Sequence, residues 1–290
     1  MKPAPFEYYA PRSVEEALDQ LAELGYAGKV LAGGQSLIPT MNFRMARPSA
    51  LVDLNRIPEL QYIRPTSDDG LAIGTMTRDS AVEHSQEVLR RFPLIGEVMP
   101  NIAHPQIRNR GTFGGAIAHA DPAGQLPAIS IALNANLKVL KKGSERWVPA
   151  EEFFLGPFTT VIEPDEMLAE VLLPALPPRT GASYQQVSRQ RGGYAQAAVA
   201  SVVTLDEDGR CKQVRMVMIS VADTPALSKA AVRILEGQKP TPEAFKEVAE
   251  AVQAEIDPGT DVHATAEYRR QLVRVLVNRS LTTAFARAAL

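Results

Sequence analysis

The sequence predicts an α+β protein of two domains, the second an antiparallel sheet with helices on one face. Three observations lead there. The chain has 290 residues, too many for one small domain and suited to two. Prolines crowd the segment Pro174-Ala-Leu-Pro-Pro178. Proline packs neither into a helix interior nor into a central strand, so this segment reads as a linker. After it, short mixed elements give way to two long apolar strands followed by helices. That segregation belongs to α+β rather than to a doubly wound sheet. The expected division is residues 1–176 and 177–290.

Ser13 opens the first helix. Val14, Ala17, Leu18, Leu21 and Leu24 fall on one helical face. Ser13 and Glu16 have capping-box spacing, each side chain covering the other's free N–H, and Gly25 ends the helix. Residues 29–32 read as a short strand running into Gly33-Gly34. Residues 49–53 and 71–75 read as two more, the last entered through an Asp68-Asp69-Gly70 turn. Ser80 and Glu83 predict a second capping box, opening a helix that stops before Pro93. Residues 101–115 are polar and turn-rich. Residues 128–140 hold part of a helix and a strand, and 153–174 alternate turns with short apolar runs. Beyond the linker, 197–205 and 214–221 read as strands joined by a turn at 206–209. Phe245, Val248, Val252 and Ile256 are spaced as a one-sided helix requires, and Tyr268, Leu272, Val275, Leu276 and Leu281 continue the pattern in the last helix.

Cysteine is the most restrictive count. The single thiol, Cys211, excludes an internal disulfide, a cysteine-based zinc site and an iron–sulfur cluster held by this chain alone. His84, His104, His119 and His263 lie far apart, with no HExxH pair. If the protein does redox chemistry, its electron carrier is organic or the metals sit in a partner. Lys+Arg 31 against Asp+Glu 33 leaves no basic excess for nucleic acid. No apolar run is long enough for a transmembrane helix, and residues 1–9 carry no apolar signal core. The expectation is a cytoplasmic protein with a core built from its 45% hydrophobic residues.

Two glycine pairs carry the chemistry. One is Ala32-Gly33-Gly34-Gln35-Ser36-Leu37, directly after a strand; the other is Arg110-Gly111-Thr112-Phe113-Gly114-Gly115. Glycine lets a backbone turn with positive φ and approach a bulky anion, and successive N–H groups in such a turn form a nest for phosphate oxygens. Ser36 and Thr112 add hydroxyls. Two nests are expected to clamp a pyrophosphate, although a lone Gly-Gly after a strand is usually only a turn. There is no GxGxxG between a strand and a helix and no GxxxxGK[ST].

With these two loops, the chain resembles the flavoprotein (medium) subunit of molybdenum hydroxylases. That family includes aerobic carbon monoxide dehydrogenase, xanthine dehydrogenase-type enzymes and bacterial hydroxylases of N-heterocycles. AGGQSL and NRGTFGG look like its two FAD-binding signatures, similarly spaced. The flanks are similar too: Pro5-Phe-Glu-Tyr8, Leu51-Val-Asp-Leu54, His104-Pro-Gln-Ile-Arg-Asn-Arg110, His119-Ala-Asp-Pro122, Phe153-Phe-Leu-Gly156, Ser188 to Ala195 and Tyr268-Arg-Arg270. The resemblance covers nearly the whole chain. It implies a FAD-binding domain of the PCMH (vanillyl-alcohol oxidase) type, followed by a C-terminal domain of the carbon monoxide dehydrogenase flavoprotein type. By the same resemblance, Lys29, Val30, Leu31, Ala32, Gly33, Gly34, Gln35 and Ser36, with Gly111, Thr112, Phe113, Gly114 and Gly115, hold the FAD pyrophosphate. Leu168 contributes a backbone contact and Tyr194 lies close to the isoalloxazine. Four positions depart from the pattern. Gln35 stands where some members have histidine; at the cofactor-binding position Gln125 an acidic residue is common, so a carboxylate contact to the cofactor is weakened; at Gln186, also a cofactor-binding position, lysine is common, so a charge contact near the flavin is lost; and Gly193 stands where an Asp often precedes the tyrosine. These bear on flavin tuning more than on FAD retention.

The resemblance also implies partners. A large subunit would oxidise substrate at molybdopterin, a small subunit would carry two iron–sulfur clusters, and FAD in this chain would pass electrons to an acceptor such as oxygen or a quinone. The assembly would be a dimer of heterotrimers, and this chain would supply no catalytic acid, base or nucleophile. The rival readings are a self-sufficient flavin oxidase and a non-catalytic nucleotide-binding scaffold. Arg108, Arg110, Arg189 and Arg191 can neutralise phosphate but read more simply as solvated or at subunit contacts. A structural role suits His104, His119 and Asp121 better than acid–base catalysis. Cys211 reads as an unreactive thiol and Trp147 as packing.

Overall fold

The computed structural model describes residues 2–290. Its first sheet joins β1 (Glu7–Tyr9), β2 (Gly28–Leu31) and β3 (Ala50–Asp53) in the order β1-β3-β2, all parallel. Parallel neighbours need crossovers. α1 (Val14–Leu24) links β1 to β2, and α2 (Leu37–Asn42) links β2 to β3. The sequence pattern indicated these strands but not their direction. Ser13 accepts the Glu16 N–H at 3.1 Å, as the capping box requires. The Glu16 carboxylate takes the Arg12 N–H at 2.7 Å instead of that of Ser13, so the box is only half made.

The second sheet follows. It contains β4 (Ile63–Pro65), β5 (Leu71–Gly74), β6 (Asn136–Lys141) and β7 (Ser144–Pro149). After a two-stranded ribbon, β8 (Phe154–Gly156) with β9 (Thr159–Thr160), it is completed by β10 (Glu166–Leu173). Its order is β4-β5-β10-β6-β7, antiparallel throughout. Between β5 and β6 run six helices: α3 (Asp79–His84), α4 (Gln86–Arg91), α5 (Pro93–Val98), α6 (Pro105–Arg108), α7 (Phe113–His119) and α8 (Gln125–Ala132). The short α9 (Ala150–Phe153) follows β7.

Two expectations fail in this helical stretch. The helix expected from Ser80 starts at Asp79 and breaks at Ser85. It is Ser85, not Ser80, whose hydroxyl caps a helix, accepting the Val88 N–H at 3.4 Å. Glu83 is diverted into an ion pair with Arg108. The second glycine pair, expected in an open loop, lies in the first turn of α7. Thr112 caps that helix by accepting the Gly115 N–H at 3.2 Å.

Residues 174–179 form no helix or strand and lead into β11 (Thr180–Ser188), β12 (Ala195–Leu205), β13 (Cys211–Ile219) and β14 (Ala226–Leu227), an antiparallel sheet in that order. β11 escaped the sequence reading because Gln185, Gln186 and Ser188 interrupt its apolar pattern. α10 (Lys229–Leu235), α11 (Pro242–Glu255) and α12 (Ala266–Ala288) complete the chain. The helices lie on one face of this sheet, as expected, while the other face packs on α5 and α8. β12 shows the consequence. Ala197, Val199 and Val203 join the core under the helices; Ala198, Ala200 and Val202 join the main core of the first domain. A strand buried on both faces reads as a continuous apolar run.

Candidate functional site

β2 delivers the first glycine loop to the start of α2. Gly34 turns with φ of 73°, the one glycine of the two pairs in the left-handed region. Among the described residues, the N–H groups of Gly33, Gly34, Gln35, Ser36 and Leu37 donate to no protein acceptor. The Gln35 amide donates to the Gly33 carbonyl at 3.0 Å and closes the loop on itself. Backbone donors seek partners, so successive unpaired N–H groups in a turn make a cradle for an anion.

The second loop lies directly against the first. A Cβ at Gly33 would strike the Arg110 carbonyl and come within 2.8 Å of the Gly111 Cα; one at Gly115 would lie 3.2 Å from the Ala32 Cβ. Only glycine lets the backbones approach so closely. The second loop is not itself an open nest, however. The N–H groups of Gly111, Phe113, Gly114 and Gly115 donate to Ile107, Thr77, Thr75 and the Thr112 hydroxyl. Its glycines serve packing: a Cβ at Gly114 would collide with Thr75, and one at Gly111 with the Asp79 carboxylate. The expected pair of nests is therefore one open nest walled by a packed helix start. Within residues 111–115, only the Thr112 N–H lacks a protein acceptor.

Two residues that no local motif marks fasten the loops together. The Asn55 amide donates to the Ala32 carbonyl at 2.8 Å. Arg78 donates to the Arg110 carbonyl and to the Asn55 Oδ1 at 2.5 and 2.6 Å. Only the topology, which brings 55 and 78 beside 32 and 110, reveals them.

The remaining sequence candidates fall around this core. Lys29 is exposed on β2, Val30 is half-buried, and the Leu31 side chain packs with Met41 and Leu51. The Leu168 side chain is buried in the main core. Its backbone lies outside the β5–β10 ladder, which starts only at Glu170. Next to it, the Ala169 carbonyl accepts the Thr75 N–H, and Thr75 in turn accepts from Gly114, which ties Leu168 to the second loop. His119 rests on Phe158, ring centroids 5.1 Å apart. Burial, helped by the nearby Lys29 charge, lowers its pKa despite Asp121.

From the second domain, the loop at 189–194 brings up Tyr194. The residue is 61% exposed, with the hydroxyl beside Asp121. Burial of that end, then the carboxylate, push the phenol up to about 12. Gln125 is buried, and its amide N–H groups go to the Asn101 carbonyl at 3.3 Å and to the Gln186 Oε1 at 3.2 Å. Both of its donors are used within the protein.

Other candidates resolve differently. Arg108 is buried and grips Glu83 at 2.8 and 3.0 Å, so it is structural, while Arg110, Arg189 and Arg191 are exposed. Burial pushes the Cys211 thiol up to about 12, well away from the reactive range. Trp147 is not core packing: it lies 43% exposed on the edge strand β7, beneath the Lys138 ammonium. Among the described residues no cluster of His, Cys, Asp or Glu can hold a metal, and no helix is long and apolar enough to cross a membrane.

The donor set fits a dinucleotide diphosphate. The unpaired N–H groups from Gly33 to Leu37 suit its oxygens, and Tyr194 offers an exposed aromatic surface beside Asp121. Known proteins match along the whole chain. The model of the FAD binding domain in molybdopterin dehydrogenase matches residues 4–176, and that of the CO dehydrogenase flavoprotein C-terminal domain matches residues 182–284. The chain is 42% identical over 288 residues to the 6-hydroxypseudooxynicotine dehydrogenase complex subunit alpha of Paenarthrobacter nicotinovorans, spanning 99% of this chain and 97% of that one. It is 39% identical over 289 residues to the carbon monoxide dehydrogenase medium chain of Hydrogenophaga pseudoflava, spanning 100% of both. A solved structure of carbon monoxide dehydrogenase from that organism, lacking the Mo-pyranopterin moiety of the molybdenum cofactor, superposes with a TM-score of 0.95 at 40% identity over 99% of each chain.

Proposed function

The chain belongs to the family of FAD-binding medium subunits of molybdenum hydroxylases, and from that premise we propose that it passes electrons from iron–sulfur clusters of a small partner subunit to an external acceptor. A large partner subunit would oxidise the substrate at molybdopterin, in a cytoplasmic dimer of heterotrimers. The observation that carries this reading is the open N–H cradle of residues 33–37, pressed against a second, closed glycine loop.

FAD, when bound, supplies reversible electron transfer between carriers. The protein's own part is binding and orientation. The backbone N–H groups from Gly33 to Leu37 would hold the diphosphate, with the Thr112 N–H beside them. Asn55 and Arg78 keep the two loops in register. Tyr194, its hydroxyl protonated at neutral pH, would present an uncharged aromatic surface toward the flavin. The substrate class stays with the large subunit: relatives of this chain belong to enzymes named for carbon monoxide, caffeine, nicotine and 6-hydroxypseudooxynicotine.

Purification from the native source tests the proposal. The expected product is a complex carrying molybdenum and iron in two further polypeptides, with FAD on this chain. A lone chain that turns over substrate at full rate without metals would overturn it.

A further inference from the structure

We propose that Gln125 is a positioning residue: through Gln186 it holds Gly193, and so fixes Tyr194 against the cofactor site. The proposal rests on the FAD-binding reading above. Gln125 begins α8 in the first domain, and Gln186 lies on β11 in the second. The Gln125 Nε2 donates to the Gln186 Oε1 at 3.2 Å, and the Gln186 Nε2 donates to the Gly193 carbonyl at 3.3 Å. Gly193 immediately precedes Tyr194. The Gln186 Oε1 also accepts the Tyr184 hydroxyl, and the second Gln125 proton goes to the Asn101 carbonyl at 3.3 Å.

The loop at 189–194 depends on these outside supports. It forms no helix or strand. Its internal ties are the Gly193 N–H to the Gln190 carbonyl and the Ser188 hydroxyl to the same oxygen. Its further supports are Gln186 of β11 and residues of the first domain. Gly192 is pressed on the Ala103 carbonyl, the Tyr194 hydroxyl faces Asp121, and Gln125 reaches Gly193 through Gln186. The diphosphate cradle belongs to the first domain and Tyr194 to the second, so this relay sets the placement of one relative to the other.

Every member of the relay is neutral, and each bond needs a proton on the right side. A carboxylate at 125 would face the Gln186 Oε1 with no proton to give, so Gln125→Glu breaks the relay while keeping the side-chain shape. Adding Gln186→Lys restores it, because an ammonium at 186 donates both to that carboxylate and to the Gly193 carbonyl.

The test uses the full chain as parent, Q125E, Q125E/Q186K, Y194A and Y194A/Q125E. Before FAD is added, hydrogen exchange is read in the segment 189–195. Losing one hydrogen bond is expected to speed it about five- to tenfold in Q125E, with parent-like protection in Q125E/Q186K. With FAD bound, Q125E is expected to change the visible circular dichroism of the flavin while the FAD dissociation constant stays within about threefold. Y194A/Q125E is expected to give the Y194A spectrum unchanged. Parent-like exchange in Q125E overturns the proposal, and so does an equal spectral change in the Y194A background. If Q125E does not fold, Gln186→Met removes the far half of the relay and decides by the same readings. Failure of the parent to bind FAD would instead refute the cofactor reading, while the exchange measurement still decides the relay.

Discussion

Asp79 shows how much a single position carries. It sits under the second glycine loop, almost fully buried, with its Oδ1 unpartnered and its other oxygen against Gly111. Burial raises its carboxyl to about 7, and Arg108 and Arg78 offset this only in part. The folded state therefore holds the proton more tightly than the unfolded chain. Stability is highest below the unfolded value of about 4, falls as pH rises toward 7, and is flat above. Asp79→Asn removes that dependence. Its advantage in melting temperature over the parent is expected to be several degrees at about pH 8 and smaller at about pH 5. An equal advantage at both would contradict the burial argument. Nothing in the local sequence marks Asp79, because its environment is made by residues distant in the chain. Gly33 and Gly34 were legible, yet for Gly33 the physical reason differs: its missing Cβ makes room for Arg110, not for a ligand.

At the scale of elements, the sequence was most readable where one periodicity dominated. α1 follows from its apolar spacing and cap, and β12 and α11 from their apolar spacing. For α12 the extent follows but the face does not: Tyr268 and Val275, read as apolar-face positions, are exposed, while Val273 and Val277 are buried beside Leu276 and Leu281. α7 does not follow at all, since Gly114-Gly115 and a polar approach suggested a loop, and helix propensity there is overridden by packing. The Gly114 backbone lies so close to Thr75 that a Cβ would come within 2.6 Å of the Thr75 Cα. Gly114→Val is therefore expected to lower the melting temperature by several degrees, from about 1–3 kcal/mol of overpacking. A melting temperature equal to that of the parent would sink this account of the second loop. The YRR segment acquires a reason as well. Arg269 on α12 donates to the carbonyls of Gln196 and Ser220 at 2.7 and 2.9 Å and to Asp261 at 2.7 Å, bracing the ends of β12 and β13.

Across the whole molecule, the two domains are joined by one apolar cluster, while the second keeps its own core under its helices. Side chains of β12 and β13 complete the apolar cluster around Phe92, Phe113 and Ile129. Polar ties cross the same boundary. Glu97 accepts the Tyr184 N–H at 2.9 Å and pairs with Arg287, and Arg215 donates to the Ile131 carbonyl at 3.0 Å. One calorimetric unfolding transition is expected, and two well-separated transitions would contradict a shared cluster. The α+β class was legible from the order of elements. The face-to-face burial of the C-terminal sheet was visible only as the unbroken apolar run of β12. The central claim is that the cradle at 33–37, wedged by Gly33 against the second loop, holds FAD. Titration of the purified full chain with FAD, followed by flavin fluorescence and absorbance, tests it most directly. The account predicts one FAD per chain for the parent and loss of binding in Gly33→Val, whose side chain forces the two loops apart and lowers the melting temperature as in Gly114→Val. A parent that takes up no FAD, or a Gly33→Val chain that binds it as tightly as the parent, would contradict it.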